Sequence, residues 1–231
     1  MELTPDKTIV FELGMLRLNA TIFYTWIVMA ILVVGSWLIT RRLRSDVAPG
    51  RWRNALEVIV LLIEDQIKSI THTGTRKILY FSGTLFLFIA ASNILSIVPG
   101  FKSPAGSLST TAALTIAVLL AVPLFGVAHG GLRQYLAKFV QPSIVILPFN
   151  LIGEVSKALS LSIRLYGNIM SGAMIAAILL GVTPFLFPII MDLFGLLVGI
   201  IQAYVFSILA TVYIAAAMTE SENNSPAEEH L

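Results

Sequence analysis

An arginine lies inside a long apolar run of this sequence, where a permanent charge is costly. Arg164 belongs to the stretch from Ile144 to Leu180, which is otherwise largely apolar. A guanidinium keeps its charge at every accessible pH, and placing it at a bilayer centre costs roughly 3 kcal/mol on insertion scales. Two explanations are open. Either the side chain reaches the headgroups, or the charge serves a function inside the membrane.

Arg164 is one of several polar residues that share a helix face. They follow one another at steps of three or four, which places them on one side of a helix: Glu154, Lys157, Ser160, Arg164, Asn168 and Ser171. Such a row favours the functional explanation for Arg164. Ser160 and Ser171, taken singly, are better explained by hydrogen bonds between packed helices.

The last apolar stretch carries a second row. Its members also recur at steps of three or four: Asp192, Gly195, Gly199 and Gln202. The two glycines predict a close approach of another helix. Gln202 is costly to bury unpaired, so we expect it to reach a polar partner, with Arg164 as the candidate. Asp192 lies near the outer turn, where solvation alone explains it.

Few other residues suggest chemistry. Asn93 either lines a hydrated vestibule or bonds a neighbouring helix. The histidines, His72, His129 and His230, fall in or beside loops or in the tail, and their spacing is not that of metal ligands. Cysteine is absent, which excludes disulfides and thiolate sites. We expect neither a metal nor a cofactor.

Composition places these residues in a bilayer. Of 231 residues, 57% are hydrophobic and only 12% are charged, and the mean hydropathy is +0.88. A soluble domain keeps about a quarter of its residues charged. The net charge of +2 is small, and no basic stripe with interleaved aromatic residues is present, so a nucleic-acid partner is not expected.

Five stretches are apolar enough to cross a membrane, which takes roughly 20 residues. They are Thr21–Thr40, Ile78–Val98, Leu108–Ala128, Ile144–Leu180 and Phe185–Met218. Gly181 to Pro184 separate the last two stretches, and this break predicts that the two form a long tilted hairpin. Trp52–Ile70 is amphipathic and predicts a helix that lies along the interface. The predicted fold is an all-α membrane protein, a single polytopic domain over residues 1–231 with five transmembrane helices and one interfacial helix.

Charge asymmetry predicts the orientation. Basic residues cluster after the first and third spans and before the second: Arg41, Arg42, Arg44, Arg51, Arg53, Arg76, Lys77, Arg133 and Lys138. Such loops are typically cytoplasmic. We therefore expect the segment 1–20 outside the cell, and the polar tail 219–231 disordered in the cytoplasm.

Two segments resemble one family. The run from Ser156 to Asn168, SKALSLSIRLYGN, is similar to the signature of subunit a of the F-type ATP synthases, Ser/Thr-Lys-Pro-x-Ser-Leu-x-x-Arg-Leu-Phe-Gly-Asn, which carries an essential arginine. The segment from Ile201 to Tyr213 resembles the last helix of that family, in which a glutamine opposes the arginine. Looser likeness covers most of the chain beyond the first span.

The resemblance implies a stator subunit without catalytic activity of its own. Two offset half-channels would carry protons or Na⁺ to and from carboxylates on a rotating ring of c-subunits, and Arg164 would face those carboxylates. Asn168 and Gln202 would hold the guanidinium. The remaining ion-path residues would be Glu154, Lys157 and Ser160 on the cytoplasmic side, with Asn93, Ser171, Asp192 and Tyr213. The partners would be the c-ring, the peripheral-stalk b subunits and, through them, the catalytic headpiece.

Two positions depart from the family pattern. Many proton-driven relatives carry Glu or His nine residues after the arginine and a partner seven residues before the glutamine, and this chain has Ala173 and Gly195 there. Because Na⁺ needs only water and oxygen ligands, the coupling ion stays open, with protons the commoner case in the family. The five-span plan and the lack of a transit peptide predict a bacterial inner membrane.

Two other classes compete with this assignment. A secondary ion or solute transporter with a midplane site should contain two related halves, and only one polar hairpin is present. An intramembrane protease needs an embedded nucleophile and base, or paired aspartates. Asp192 is the one acid of its stretch before Glu220.

Overall fold

The computed structural model describes residues 9–13, 16–41, 51–70, 75–98, 101, 103–132, 144–182 and 187–223. These ranges contain helices α1 (Ala20–Thr40), α2 (Arg51–Ile70), α3 (Thr75–Leu95), α4 (Leu108–Gly130), α5 (Leu147–Val182) and α6 (Phe187–Asn223). Short 3-10 turns at Pro104–Gly106 and Ile144–Ile146 lead into α4 and α5. Strands β1 (Ile9–Leu13) and β2 (Leu16–Asn19) precede α1.

Five helices are long and apolar enough to span a bilayer. The candidate spans are Ala20–Leu38, Arg76–Leu95, Leu108–Gly130, Leu147–Gly181 and Ile189–Thr219. The predicted all-α membrane fold with five spans is therefore confirmed. Helices α5 and α6 have 36 and 37 residues, or roughly 55 Å each at 1.5 Å per residue. They exceed the hydrocarbon thickness of about 30 Å, so they must tilt within the bilayer or extend beyond it.

Helix α2 is the predicted interfacial helix, and it presents one apolar side to the bundle. Ile67 is buried in one cluster with Ile78 of α3 and Ile214 of α6. Lys68 pairs with Glu64 at 2.8 Å one helical turn away. The hydrogen bond from Lys68 to Glu64 and the carboxylate charge raise the pKa of Lys68 above its ordinary value.

Helix α6 is the centre of the bundle, since it packs against α2, α3, α4 and α5. Two apolar clusters surround it. The first comprises Leu85, Ile89, Ala90, Val118, Leu161, Leu165, Ala203, Phe206 and Ala210. The second comprises Ile67, Ile78, Ala121, Val122, Ile214, Ala217 and Met218. Helix α5 packs on α4 and α6, so it lies at the side of the bundle.

Buried hydroxyl groups join α3 to α6. Ser207 Oγ donates a hydrogen bond to the carbonyl oxygen of Ser82 at 2.8 Å. Thr211 Oγ1 lies 2.8 Å from Ser82 Oγ and 3.0 Å from the carbonyl oxygen of Ser207. All three side chains are buried. These hydrogen bonds satisfy polar groups that would be costly to bury alone.

The end of the connection between α3 and α4 packs against α5. Residues 103–107 are all buried, and a Cβ added to Gly106 would lie 3.1 Å from Ile169 Cγ2. Helix α4 therefore begins beside the second half of α5. The longer α5 continues past this point to Val182.

Both chain ends differ from the sequence expectation. β1 and β2 pair antiparallel, with Leu13 opposite Leu16, in the segment predicted only as an outer arm. A hairpin of this size is marginal alone, and it contacts α1. At the other end α6 runs to Asn223, so it enters the segment 219–231 predicted as a disordered tail, and residues 224–231 lie outside the described ranges.

Candidate functional site

Arg164 lies halfway along α5 and points out of the chain. It is exposed, and within the described residues it makes no hydrogen bond or ion pair. Leu159 and Ile163 beside it are 56% and 61% exposed, so the charge sits in an apolar outward surface. About 26 Å of helix separates Arg164 from either end of α5.

Two leucines fix the rotation of α5. Leu161 and Leu165 are 2% and 0% exposed and belong to the cluster around Phe206 of α6. Ser162 is buried as well, and because α5 turns by about 100° per residue, the three buried positions together keep Arg164 off the buried side. The apolar packing of α5 thus positions its charge.

One helical turn beyond Arg164, an amide pair joins the two helices of the hairpin. Asn168 Nδ2 donates to Gln202 Oε1 at 3.0 Å. Gln202 is 4% exposed, and its Nε2 is buried without a hydrogen-bond partner. The expected contact of Gln202 with Arg164 is not observed, because the oxygen of Gln202 is bonded to Asn168 while Arg164 points outward.

A second amide joins α3 to α6. Asn93 Nδ2 donates to the carbonyl oxygen of Gly199 at 2.8 Å, and this bond is buried. A Cβ at Gly199 would lie 2.8 Å from Asn93 Cγ. Asn93 therefore bonds a neighbouring helix, and the predicted close approach is confirmed at Gly199. Gly195 is exposed, and a Cβ there would meet nothing within 4 Å, so the prediction was wrong for Gly195.

A cleft opens between α4, α5 and α6 near the start of α5. We call it the Tyr213 cleft. Its polar lining is Thr115, Glu154, Lys157 and Tyr213, and Leu161 is among its apolar lining. Lys157 Nζ lies 3.0 Å from Glu154 Oε1 and 5.7 Å from the centre of the Tyr213 ring. Thr115 Oγ1 is buried without a hydrogen-bond partner.

The other predicted site residues lie apart from these groups. Ser160 and Ser171 are exposed on α5, and Ser171 Oγ donates to the carbonyl oxygen of Asn168 in its own helix at 3.1 Å. The inter-helix hydrogen bonds expected of both serines are absent from the described part of the chain, because these serines lie on the exposed side of α5. Asp192 is exposed on α6.

Sequence reasoning missed the serine of α5 that bonds a neighbouring helix. Ser162 Oγ donates to Thr111 Oγ1 of α4 at 3.4 Å, and both residues are buried. It also missed Thr115 and the hydroxyl groups of Ser82, Ser207 and Thr211. Small hydroxyl residues are common in membrane helices. The four-residue spacing of Ser207 and Thr211 was the one available signal. The same spacing is common among residues that form no contact between helices.

The two positions that depart from the family pattern are accessible. Ala173 of α5 and Gly195 of α6 are both exposed. Within the ranges described, no three His, Asp or Glu side chains come together as a metal site would require. The polar groups of the site are thus one outward guanidinium, two amide contacts and the Tyr213 cleft.

Comparison with known proteins matches most of this chain to one family. Residues 22–215 match the family described as ATP synthase A chain. "ATP synthase subunit a 2" of Acaryochloris marina is 53% identical over 224 residues, which cover 97% of this chain and 96% of the relative. "ATP synthase subunit a" of Albidiferax ferrireducens is 51% identical over the full length of both chains.

A third relative agrees with the first two. "ATP synthase subunit a" of Nitrosospira multiformis is 48% identical over 229 residues, which cover 99% of this chain and 91% of the relative. The matched regions contain Arg164, Asn168 and Gln202, and all five candidate spans overlap the family match. This chain belongs to the ATP synthase A chain family, the non-catalytic, ion-translocating stator subunits of the F-type ATP synthases.

Proposed function

We propose that this chain carries ions between the two sides of the membrane and the carboxylates of a rotating c-ring. In this scheme Arg164 faces the ring, and two offset half-channels end at the ring from opposite sides. An ion enters by one half-channel, travels on a ring carboxylate through one turn, and leaves by the other. Ion flow is thereby coupled to rotation and to ATP synthesis or hydrolysis.

The observation that carries the proposal is the unpaired outward guanidinium of Arg164. A charge in an apolar surface is strongly unfavourable unless an opposite charge meets it. None of the described residues offers Arg164 an acid, and an acid on another chain would supply the missing negative charge. A ring carboxylate meets this need once for every subunit that passes.

The fixed charge of Arg164 also explains why a ring carboxylate releases its ion. A nearby positive charge favours the ionised form of a carboxylate, so each carboxylate that arrives loses its ion beside Arg164. The same charge repels cations that would pass directly from one half-channel to the other. Arg164 therefore promotes release of the ion from the ring carboxylate and also prevents ions from leaking between the two half-channels.

Two polar groups are suited to line the half-channels. We assign Glu154, Lys157, Ser160 and the Tyr213 cleft to the cytoplasmic path. We assign Asn168, Gln202 and Asn93 to the outer path, with Ser171 and Asp192 further out on the same helices. The orphan Nε2 of Gln202 and Oγ1 of Thr115 support this assignment, because buried donors of this kind bind water.

The partners and the orientation follow from the same scheme. The c-ring would contact the exposed side of α5, and the b subunits would link this chain to the catalytic headpiece. The membrane is a bacterial inner membrane, with the N-terminus outside and the C-terminus in the cytoplasm. The basic residues after α1 and before α3 support this orientation.

The coupling ion is H⁺ or Na⁺. Ala173 and Gly195 bring no titratable group to the exposed surface, so a proton path here would run through water. Water and oxygen ligands also suit Na⁺. Protons are the first candidate because they are the commoner ion of the family.

Arg164→Ala in the complete, liposome-reconstituted enzyme tests the function. We expect ion-driven ATP synthesis to fall to background and passive ion leak to rise, because the ring carboxylates lose their opposing charge. Synthesis is measured with a proton gradient and with a Na⁺ gradient, which also names the ion. Arg76→Ala, at an exposed arginine near the start of α3, is the matched control and should retain synthesis. Coupled synthesis in Arg164→Ala would reject the proposal.

A further inference from the structure

Two polar contacts join α5 to α6, and they lie at different positions along the helices. Asn168 bonds Gln202 at one level, and Lys157 lies over the Tyr213 ring at another. Lys157 to Asn168 and Gln202 to Tyr213 are both steps of eleven residues, roughly 16 Å of helix. Equal lengths of α5 and of α6 therefore lie between these two contacts.

The interior between these levels is apolar. Leu161 and Leu165 of α5 and Phe206 of α6 are at most 2% exposed and belong to one cluster. Ala203 and Ala210 of α6 are in the same cluster and fully buried. We call Leu161, Leu165 and Phe206 the apolar layer. Methyl groups and a phenyl ring offer no donor or acceptor to an ion or to its water.

Polar side chains at this depth are directed elsewhere. Ser160 and Arg164 are exposed on the outward side of α5. Ser162 bonds Thr111 of α4. On α6, the hydroxyl groups of Ser207 and Thr211 bond Ser82 of α3. The apolar layer is therefore not interrupted by these groups.

An unpartnered donor lies on each side of the layer. Gln202 Nε2 is buried without a partner at the level of Asn168, and Thr115 Oγ1 is buried without a partner at the Tyr213 cleft. Buried polar atoms of this kind are places where water binds. Water can thus approach the apolar layer from both ends. Leu161 also lines the cleft, so on that side the water stops at Leu161.

We propose that Leu161, Leu165 and Phe206 form a dry seal inside this chain, between the two half-channels. The proposal rests on the proposed function, since it needs half-channels to separate. Arg164 repels cations at the outward surface of α5, whereas the seal blocks the interior of the α5–α6 contact. The two barriers are independent, and an ion that cannot pass the seal must travel on the ring.

Leu165→Asn in the complete enzyme tests the seal, because it replaces the two buried methyl groups of the leucine with an amide of similar size. We expect passive ion flux into liposomes under an imposed potential to rise at least tenfold, with Arg164 intact. ATP hydrolysis should continue while pumping falls. Leu165→Met keeps the layer apolar and should remain tight. Ile116→Asn, on the exposed side of α4, controls for a polar substitution elsewhere.

The outcomes separate the seal from the function of Arg164. An assembled Leu165→Asn enzyme as tight as the parent overturns the seal, even if Arg164→Ala leaks. Coupled synthesis in Arg164→Ala overturns the function, whatever Leu165→Asn does. The double variant should leak more than either single variant. If Leu165→Asn does not assemble, Phe206→Tyr decides, since it adds one hydroxyl group to the layer itself without opening a cavity, and a tight enzyme then rejects the seal.

Discussion

At the scale of single residues, the packing of the helices decides which polar side chains meet. Arg164, Asn168 and Gln202 stand out because an apolar stretch makes any polar residue conspicuous. The bond from Asn168 to Gln202 depends on how far each helix is rotated about its axis. Rotation is set by packing of residues such as Leu165, which no local pattern reveals. The pairing of Gln202 with Arg164 was therefore predicted wrongly.

Gly199 gives a residue-scale test of packing. Gly199→Ala places a methyl group 2.8 Å from Asn93 Cγ, so α3 and α6 must separate or Asn93 must move. Overpacking of this kind costs about 1–3 kcal/mol. We expect a lower melting temperature for the purified enzyme. Gly195→Ala, where a methyl group would meet nothing within 4 Å, should leave the melting temperature unchanged.

A double variant checks the cause at Gly199. Asn93→Ala removes the clashing side chain, so the combined Gly199→Ala, Asn93→Ala enzyme should lose less stability than the two single changes added together. Simple additivity would contradict the close contact as the source of the loss.

At the scale of helices and strands, apolar length and charge predicted the spans well. Each predicted span overlaps a helix, since roughly 20 apolar residues in a bilayer leave the backbone few alternatives to a helix. The ends were less predictable. Ala, Met and Glu at 215–222 are good helix formers, so α6 continues after its apolar part ends. The hairpin of β1 and β2 is too short for its alternation to distinguish it from an irregular arm.

The hydroxyl contact between α3 and α6 gives an element-scale prediction. Thr211→Val keeps the side-chain shape but leaves Ser82 Oγ without this partner. We expect a loss of about 1 kcal/mol, measured as a lower melting temperature, with ATP synthesis retained at room temperature. Thr219→Val is the control, because Thr219 is exposed and bonds the carbonyl oxygen of Ala215 in its own helix. An equal loss in both variants would contradict the inter-helix assignment.

At the scale of the whole molecule, the proposed orientation can be tested directly because the chain has no cysteine. Val98 follows α3 and Leu132 follows α4, and both are exposed. We expect a membrane-impermeant maleimide to label Val98→Cys in intact cells and Leu132→Cys only in inverted vesicles. The opposite pattern would reverse the orientation and with it the assignment of the two half-channels.

The whole fold also shows what family resemblance added to physical reasoning. Composition and periodicity predict a five-span protein with a charged hairpin, and these alone left a transporter open. The match over residues 22–215 settled the family. The depth at which α4 begins, beside Ile169, follows from the buried residues 103–107. Their mixed small and polar composition predicts a loop but not its burial.

The side position of α5 has a mechanical consequence. Only 6% of its span is buried within this chain, against 33% to 39% for α3, α4 and α6. A rod supported along one side bends more readily than one clamped all round. In the proposed scheme, lateral pressure from the surrounding subunits and lipid, and not this chain alone, would set the gap that each passing carboxylate crosses, so a thinner or softer bilayer would change the friction of the motor without altering any residue.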